Sequence, residues 1–222
     1  MSLPKTTKIV VQSDFDGTIT EQDVSYLLLD RFAEGNWRQI LADYQEGKIP
    51  VGGFTSKAFA MVKADRQTLV DFLLNSDQIR IRPGLPELSA FCSANGLELI
   101  IVSNGLKLYI EAILTRLGLK NIKVFAARAR FSPDGMEVKY IGPDGKQLES
   151  GLKELYTELS LKNDGRVIYL GNGPSDFPAA RQAHHVFATA ELLEICKEKN
   201  LDCTPFNDLH DVIKGLKLQQ LG

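Results

Sequence analysis

The sequence predicts an α/β fold: a Rossmann-like parallel sheet with helices on both faces and a small helical cap. Three observations predict it. Short apolar runs at 9–11, 97–102 and 167–170 alternate with segments of helical periodicity, the pattern of parallel strands joined by crossover helices. Each run stops at a polar cluster: Asp14-Phe15-Asp16-Gly17-Thr18, then Ser103-Asn104-Gly105, then Gly171-Asn172-Gly173-Pro174-Ser175-Asp176. Between the first two runs the chain shows helical periodicity alone.

Ile9, Val10 and Val11 form a β-branched run that suits a buried strand. Residues 23–33, 37–45, 54–62 and 66–74 then place apolar side chains at helical spacing, Leu27, Leu28 and Phe32 in the first. The breaks fall at Gly35, Gly47, Pro50 and Gly52-Gly53. These helices make a cap at 21–81, inserted into a core formed by 1–20 and 82–222. Beyond Arg82-Pro83-Gly84, a helix at 85–95 leads into 97–102, a continuous apolar run typical of a strand buried on both faces. A helix at 106–117 ends at Gly118, and a strand follows at 123–127. Residues 131–140 read as a β-hairpin turning at Ser132-Pro133-Asp134-Gly135, with Pro143-Asp144-Gly145 as the next turn. A helix at 152–161, the strand at 167–170, a short helix, a strand at 185–188 and two helical segments complete the chain.

Composition narrows the classes of function. Of 222 residues, 44% are hydrophobic and 24% charged, with a net charge of −2, which suits a soluble globular chain with a sizeable core. No Lys/Arg stripe supplies the counterion-release term that drives nucleic-acid binding. No run approaches the roughly 20 apolar residues that span a bilayer. The three cysteines, Cys92, Cys196 and Cys203, form no metal-like pair and fit a reducing compartment. The first residues, MSLPKTTKIVVQ, hold no apolar run long enough for a signal peptide, so a cytoplasmic location is expected. An anionic small molecule is still admitted as a partner, no nucleic acid and no membrane are expected, and the oligomeric state stays open.

In a parallel sheet the carboxyl ends of the strands share one edge, where ligands bind. The three polar clusters therefore converge. Asp14 and Asp16 are two residues apart and point the same way from an extended segment. Two such carboxylates coexist when a cation lies between them or one keeps its proton, and Mg²⁺ is a hard cation that takes oxygen ligands. A turn with an Asx hydrogen bond is the plainer account of the same five residues.

DFDGT after an apolar strand, VSNG, a lysine beyond it and GNGPSD after a later strand follow one another between Ile9 and Asp176. This series resembles the four motifs of the haloacid dehalogenase-like phosphatases, in a branch with a helical cap. The resemblance implies a phosphomonoester hydrolase, with a small phosphorylated metabolite as its partner, in which Asp14 attacks phosphorus and Asp16 serves as acid and then base. It implies Ser103 on the phosphoryl oxygens, with Thr18, Asn104 and Gly105 beside it on the substrate. A lysine would offset the acidic cluster; Lys139, Lys146 and Lys153 qualify, and Lys153 is preferred because it opens the helix before the last motif strand. Mg²⁺ would be held by Asp14, Asp16 and the last motif. There the family usually has Gly-Asp, whereas this chain has Gly171-Asn172, so Asn172 and Asp176 are expected to share the metal. The stretch LLEICKEKNLDCTPF looks like the branch that acts on a sugar-like enol phosphate of methionine salvage, with phosphoserine the next substrate.

Around this site the residues leave alternatives. Asp23 either meets a polar substrate group or caps the first cap helix. Glu21 lies beside it, and Arg82 either meets an anionic substrate or is a surface charge near a turn. Phe32, Trp37 and Phe59 read as packing residues of the cap, and His184 and His185 as structural. A phosphate-ester-binding or regulatory protein weakened by Asn172 is the rival reading, and a phosphotransferase shares every motif.

Overall fold

The computed structural model describes residues 8–132, 135–162 and 164–220. Strand β1 (Ile9–Ser13) is followed by four helices, α1 (Val24–Phe32), α2 (Trp37–Gln45), α3 (Val51–Ala60) and α4 (Arg66–Asn75). Then come α5 (Leu85–Ala94), β2 (Leu97–Leu106), α6 (Lys107–Arg116), β3 (Lys123–Ser132), β4 (Gly135–Ile141), β5 (Gln147–Leu148) and α7 (Leu152–Lys162). Strand β6 (Arg166–Gly171), the short α8 (Phe177–Ala180), β7 (His185–Ala188), α9 (Ala190–Glu198), β8 (Thr204–Pro205) and α10 (Leu209–Gln220) complete the order.

The eight strands form one sheet in the order β5-β4-β3-β2-β1-β6-β7-β8. From β3 to β8 all pairs are parallel, while β4 and β5 add an antiparallel edge. The chain leaves β1 in one direction toward β2 and β3 and in the other toward β6 and β7, so β1 lies where the winding reverses. Crevices at such points accept ligands. In β1 and β2 the apolar run is buried on both faces, as Val11, Ile101 and Val102 show. Each fully buried aliphatic side chain of this kind contributes about 1.5–3 kcal/mol through its removal from water.

The expected hairpin is present as β3 and β4; Pro133 and Asp134 of its turn lie outside the described residues. Strand β2 runs four residues further than the apolar run, through Ser103-Asn104-Gly105, with a register shift between Val102 and Leu106. Such an irregularity re-aims side chains at a sheet edge. The two-residue strands β5 and β8 have no signal in the sequence.

The expectation of a break at Gly52-Gly53 is corrected. Helix α3 begins at Val51 and runs through both glycines. A Cβ on Gly52 would lie 2.8 Å from the Glu149 carbonyl oxygen, and the Gly52 N–H donates to that oxygen at 2.9 Å. Here the glycine allows a close approach between helix and loop rather than ending the helix. Thr55 of α3 also bonds Tyr140 of β4 at 2.8 Å between hydroxyls. The helices before α5 thus rest on the antiparallel edge, and one apolar core runs from Leu28, Phe59 and Leu69 into the sheet. Phe32, Trp37 and Phe59 pack as expected: Phe32 meets Phe72 edge-on at 5.4 Å and Trp37 lies 5.2 Å from Tyr26. His184 accepts from the Val167 N–H and His185 bonds Thr204, both structural contacts. All three cysteines are free, and no helix among the described residues is long and apolar enough to cross a membrane.

Candidate active site

The three clusters meet at the carboxyl edge of β1, β2 and β6. The Asp14 N–H donates to the Leu170 carbonyl at 2.9 Å, which ties the first cluster to the end of β6. Behind Asp14 sits Lys153, only 2% exposed, its Nζ 3.1 Å from Asp14 Oδ2 and 2.6 Å from Asp176 Oδ1. Lys139 and Lys146 instead pair with Glu137 and Asp144 at the surface. The position of Lys153 is fixed from β1: Gln12 Nε2 donates to the Lys153 carbonyl at 2.9 Å, and Thr157 donates to Gln12 Oε1 at 3.2 Å. Burial would lower the Lys153 pKa, but Asp14 and Asp176 outweigh it and hold the ammonium charged. Burial pushes Asp14 up to about 7, with Lys153 opposing and Asp176 adding to the rise.

The expectation that Asp176 shares a metal is corrected. Its carboxylate is fully buried and takes four donors: Lys153 Nζ and Tyr169 Oη on Oδ1, and the N–H groups of Asn172 and Gly173 on Oδ2. Four donors saturate the acceptor sites of a carboxylate. Asp176 holds Lys153 and the third loop rather than facing the pocket.

Asp16 is supported differently. Its Oδ1 accepts the Val24 N–H at 2.8 Å, and its Oδ2 is hydrogen-bonded by the Tyr109 hydroxyl. Burial, and then the neighbouring charge of Asp23, raise its pKa well above the usual carboxylate range. Proton retention of this kind suits an acid.

Asn172 lies beside Gly17 and Thr18. One terminal atom of its amide is 2.9 Å from Thr18 Oγ1, 3.0 Å from the Asp16 carbonyl oxygen and 3.2 Å from Asp14 Oδ2. With nitrogen in that place, the amide can donate to the Asp16 carbonyl and the Asp14 carboxylate, which would repel its oxygen. A side chain at Gly17, whose φ is +77°, would collide with this amide. Thr18 is fully buried, with its hydroxyl on Asn172, and does not reach the pocket as expected for a substrate contact.

The pocket above these groups has a volume of about 780 Å³. Asp14, Asp16, Ser103, Asn104, Gly105, Lys153 and Asn172 form its floor. Its wall comes from the helices before α5, with Tyr26, Tyr44, Val51, Phe54 and Phe59. The Gly105 N–H donates to Ser103 Oγ at 3.0 Å, and the Asn104 carbonyl accepts from Tyr140. Asp23 both lines the pocket and caps α1, its Oδ1 accepting the Tyr26 N–H at 3.0 Å; burial pushes it up to about 6. Glu21 pairs with Arg80 at 2.8 Å. Arg82 does not line the pocket: its guanidinium donates to the carbonyls of Thr18 and Gly17 at 2.9 and 3.0 Å and braces the first loop.

Residues 11–181 match the model of the haloacid dehalogenase-like hydrolases. The chain belongs to that family. Over 217 residues it is 28% identical to a 2-hydroxy-3-keto-5-methylthiopentenyl-1-phosphate phosphatase of Brevibacillus brevis, covering 96% of this chain and 97% of the relative. The phosphatase of the same name from Geobacillus kaustophilus is 28% identical, with 97% and 99% covered. Among solved structures, a phosphoserine phosphatase holding an analogue of the phospho-aspartyl intermediate has a TM-score of 0.66 at 22% identity, covering 94% of this chain and 99% of that one. A family hydrolase from Salmonella enterica reaches 0.70 at 18%, covering 92% and 69%. The haloacid dehalogenase-like α/β fold, with its mostly parallel sheet, is thus established, and the chain is a hydrolase whose relatives are phosphatases.

Gln12, Thr157, Tyr109 and Ser25 carry no motif signal. A polar residue directly after a β-branched run and before the first cluster, as Gln12 is, was the one hint in the sequence.

Proposed function

We propose that the chain is a Mg²⁺-dependent phosphatase that hydrolyses a small phosphomonoester through an aspartyl-phosphate on Asp14. The observation that carries the reading is Asp14 Oδ2 at 3.1 Å from the buried Lys153, on a pocket floor that also presents Asp16.

In the first step an Asp14 carboxylate oxygen forms a bond to phosphorus while the ester P–O bond breaks. Asp16 gives its proton to the leaving alkoxide. In the second, water attacks phosphorus, Asp16 takes back a proton, and the bond to Asp14 breaks to release inorganic phosphate. Ser103, whose Oγ accepts the Gly105 N–H at 3.0 Å, would hydrogen-bond the phosphoryl oxygens, and Lys153 would balance their charge.

The oxygens around Asn172 support a divalent ion here. Ligand oxygens of an octahedral Mg²⁺ at about 2.1 Å lie about 3.0 Å apart, close to the 3.0 and 3.2 Å separations at the amide. Asp14 Oδ2, the Asp16 carbonyl and, after its amide turns over, Asn172 Oδ1 would hold it. A bound Mg²⁺ supplies Lewis-acid stabilisation of phosphoryl charge. Among the described residues no group of three or more His, Cys, Asp or Glu could hold a metal ion, so the set would join one carboxylate, Asp14, to neutral oxygens.

The wall supports the substrate of the methylthiopentenyl phosphatases over phosphoserine. Tyr26, Val51, Phe54 and Phe59 offer apolar surface to a thioether tail. Lys153 is the sole cation among the described lining residues, and it is already engaged by Asp14 and Asp176. A serine carboxylate would face acidic side chains without a counter-ion.

Phosphate release from 2-hydroxy-3-keto-5-methylthiopentenyl 1-phosphate, p-nitrophenyl phosphate and phosphoserine tests this, with Mg²⁺ or a chelator. Metal-dependent turnover that Asp14→Asn abolishes is expected, with phosphoserine the poorest substrate. Equal inactivity of wild type and variant on every ester would favour a protein that binds phosphate esters without turning them over.

A further inference from the structure

Asp14 and Asp16 point to one pocket, yet only Asp14 has a cation behind it. The group behind Asp16 is a phenol. Tyr109, in the first turn of α6, is completely buried, and its hydroxyl bridges Asp16 Oδ2 and Ser25 Oγ, the latter at 2.9 Å. The opposite oxygen of Asp16 accepts the Val24 N–H at 2.8 Å. The carboxyl is therefore gripped from two elements, α1 and α6, each taking one lone pair on a different oxygen. Asp16 itself lines the pocket.

Gly105 makes this grip possible. A Cβ there would overlap the Tyr109 hydroxyl and crowd Asp16 Oδ2. The glycine of the second cluster, expected on the substrate, thus also clears the path of a phenol to the acid.

We infer that Tyr109 is a positioning residue for the Asp16 carboxyl, aiming it at the leaving-group oxygen of the ester. The inference rests on the proposed phosphatase reaction. Proton transfer in a transition state needs the acid within hydrogen-bond reach and correctly turned, and an acid held at one oxygen alone rotates about its Cβ–Cγ bond. Positioning matters only for leaving groups that need a proton. An alkoxide does; p-nitrophenolate is stable enough to depart without one.

The test compares kcat/KM of Tyr109→Phe and wild type on the methylthiopentenyl phosphate and on p-nitrophenyl phosphate. This parameter ends at the first irreversible step, phosphorylation of Asp14, so the later hydrolysis does not enter. Tyr109→Phe is expected to lower the value for the alkyl ester by about tenfold or more, within the range general acids supply, while the aryl ester stays within about twofold of wild type. Asp16→Asn should show the same selectivity more strongly, and Tyr109→Phe added to it should cost nothing further. Equal losses on both esters, or none on the alkyl ester, would overturn the inference. Wild type inactive on both esters would instead count against the phosphatase reading, so the two failures are distinct. Thermal unfolding of the variant checks its fold. If Tyr109→Phe does not fold, Ser25→Ala, which releases the other side of the phenol, should show a smaller loss with the same selectivity.

Discussion

The floor and the wall of the pocket are built by different physics. On the floor, charge is buried and answered by charge: Lys153 lies between Asp14 and Asp176, and strand ends fix all three. On the wall, aromatic and aliphatic side chains from α1, α2 and α3 enclose the space, joined to the sheet by a shared apolar core and by bonds such as Thr55 to Tyr140. Asp16 stands at the border and is held by neutral donors from both sides. On the proposed reading, the floor would fix the reaction and the wall would select the ester. If this division holds, damage to the floor should cost both folding and turnover, and damage at the wall should cost either little or only selectivity.

The largest effect is expected at Lys153. Lys153→Met removes the cation between two buried carboxylates, and an uncompensated buried charge costs about 3–5 kcal/mol. Denaturant unfolding should show that loss. Lost electrostatic stabilisation should lower kcat by about 10²-fold or more in the folded fraction. Unchanged stability would break the comparison, because the floor would then not depend on its charge network.

Asn172 sharpens it next. In Asn172→Asp a carboxylate replaces the amide whose nitrogen faces the oxygens of Asp14, Asp16 and Thr18. Without metal, repulsion with Asp14 should lower the unfolding midpoint. With Mg²⁺ the added charge should tighten binding by about tenfold. Calorimetric titration with Mg²⁺ and unfolding in chelator read these two opposite shifts. If affinity does not rise, the amide is not a metal-facing group.

These residues also mark how far the sequence was legible. Asp14, Asp16, Ser103 and Asn172 stood at the ends of apolar runs, and local pattern alone brought them to one edge, whereas Lys153 was singled out from three lysines by the motif resemblance. The polar pairs that hold them are set by packing across long separations: Gln12 with Lys153, Asp16 with Tyr109, Gly52 with Glu149. No periodicity encodes such a pair. Gly52-Gly53 misled for the same reason, since glycine weakens a helix in isolation, and the close approach to Glu149 that requires it becomes visible only in three dimensions. Asp176 matched the spacing of a ligand, but its orientation depends on Tyr169 and two backbone N–H groups that spacing does not reveal.

The smallest effect is expected at Asp23, where floor and wall meet. Its carboxylate lines the pocket and also accepts the Tyr26 N–H as the cap of α1. Asparagine caps a helix about as well as aspartate, while alanine costs about 1 kcal/mol. Asp23→Asn should therefore keep wild-type stability, and Asp23→Ala should lose about that amount in denaturant unfolding. If Asp23 only shapes the wall, both variants keep KM for the methylthiopentenyl phosphate within about twofold. A rise in KM shared by Asn and Ala would instead make the charge itself a substrate contact. The acidic residue at the mouth would then belong with the chemistry of the floor.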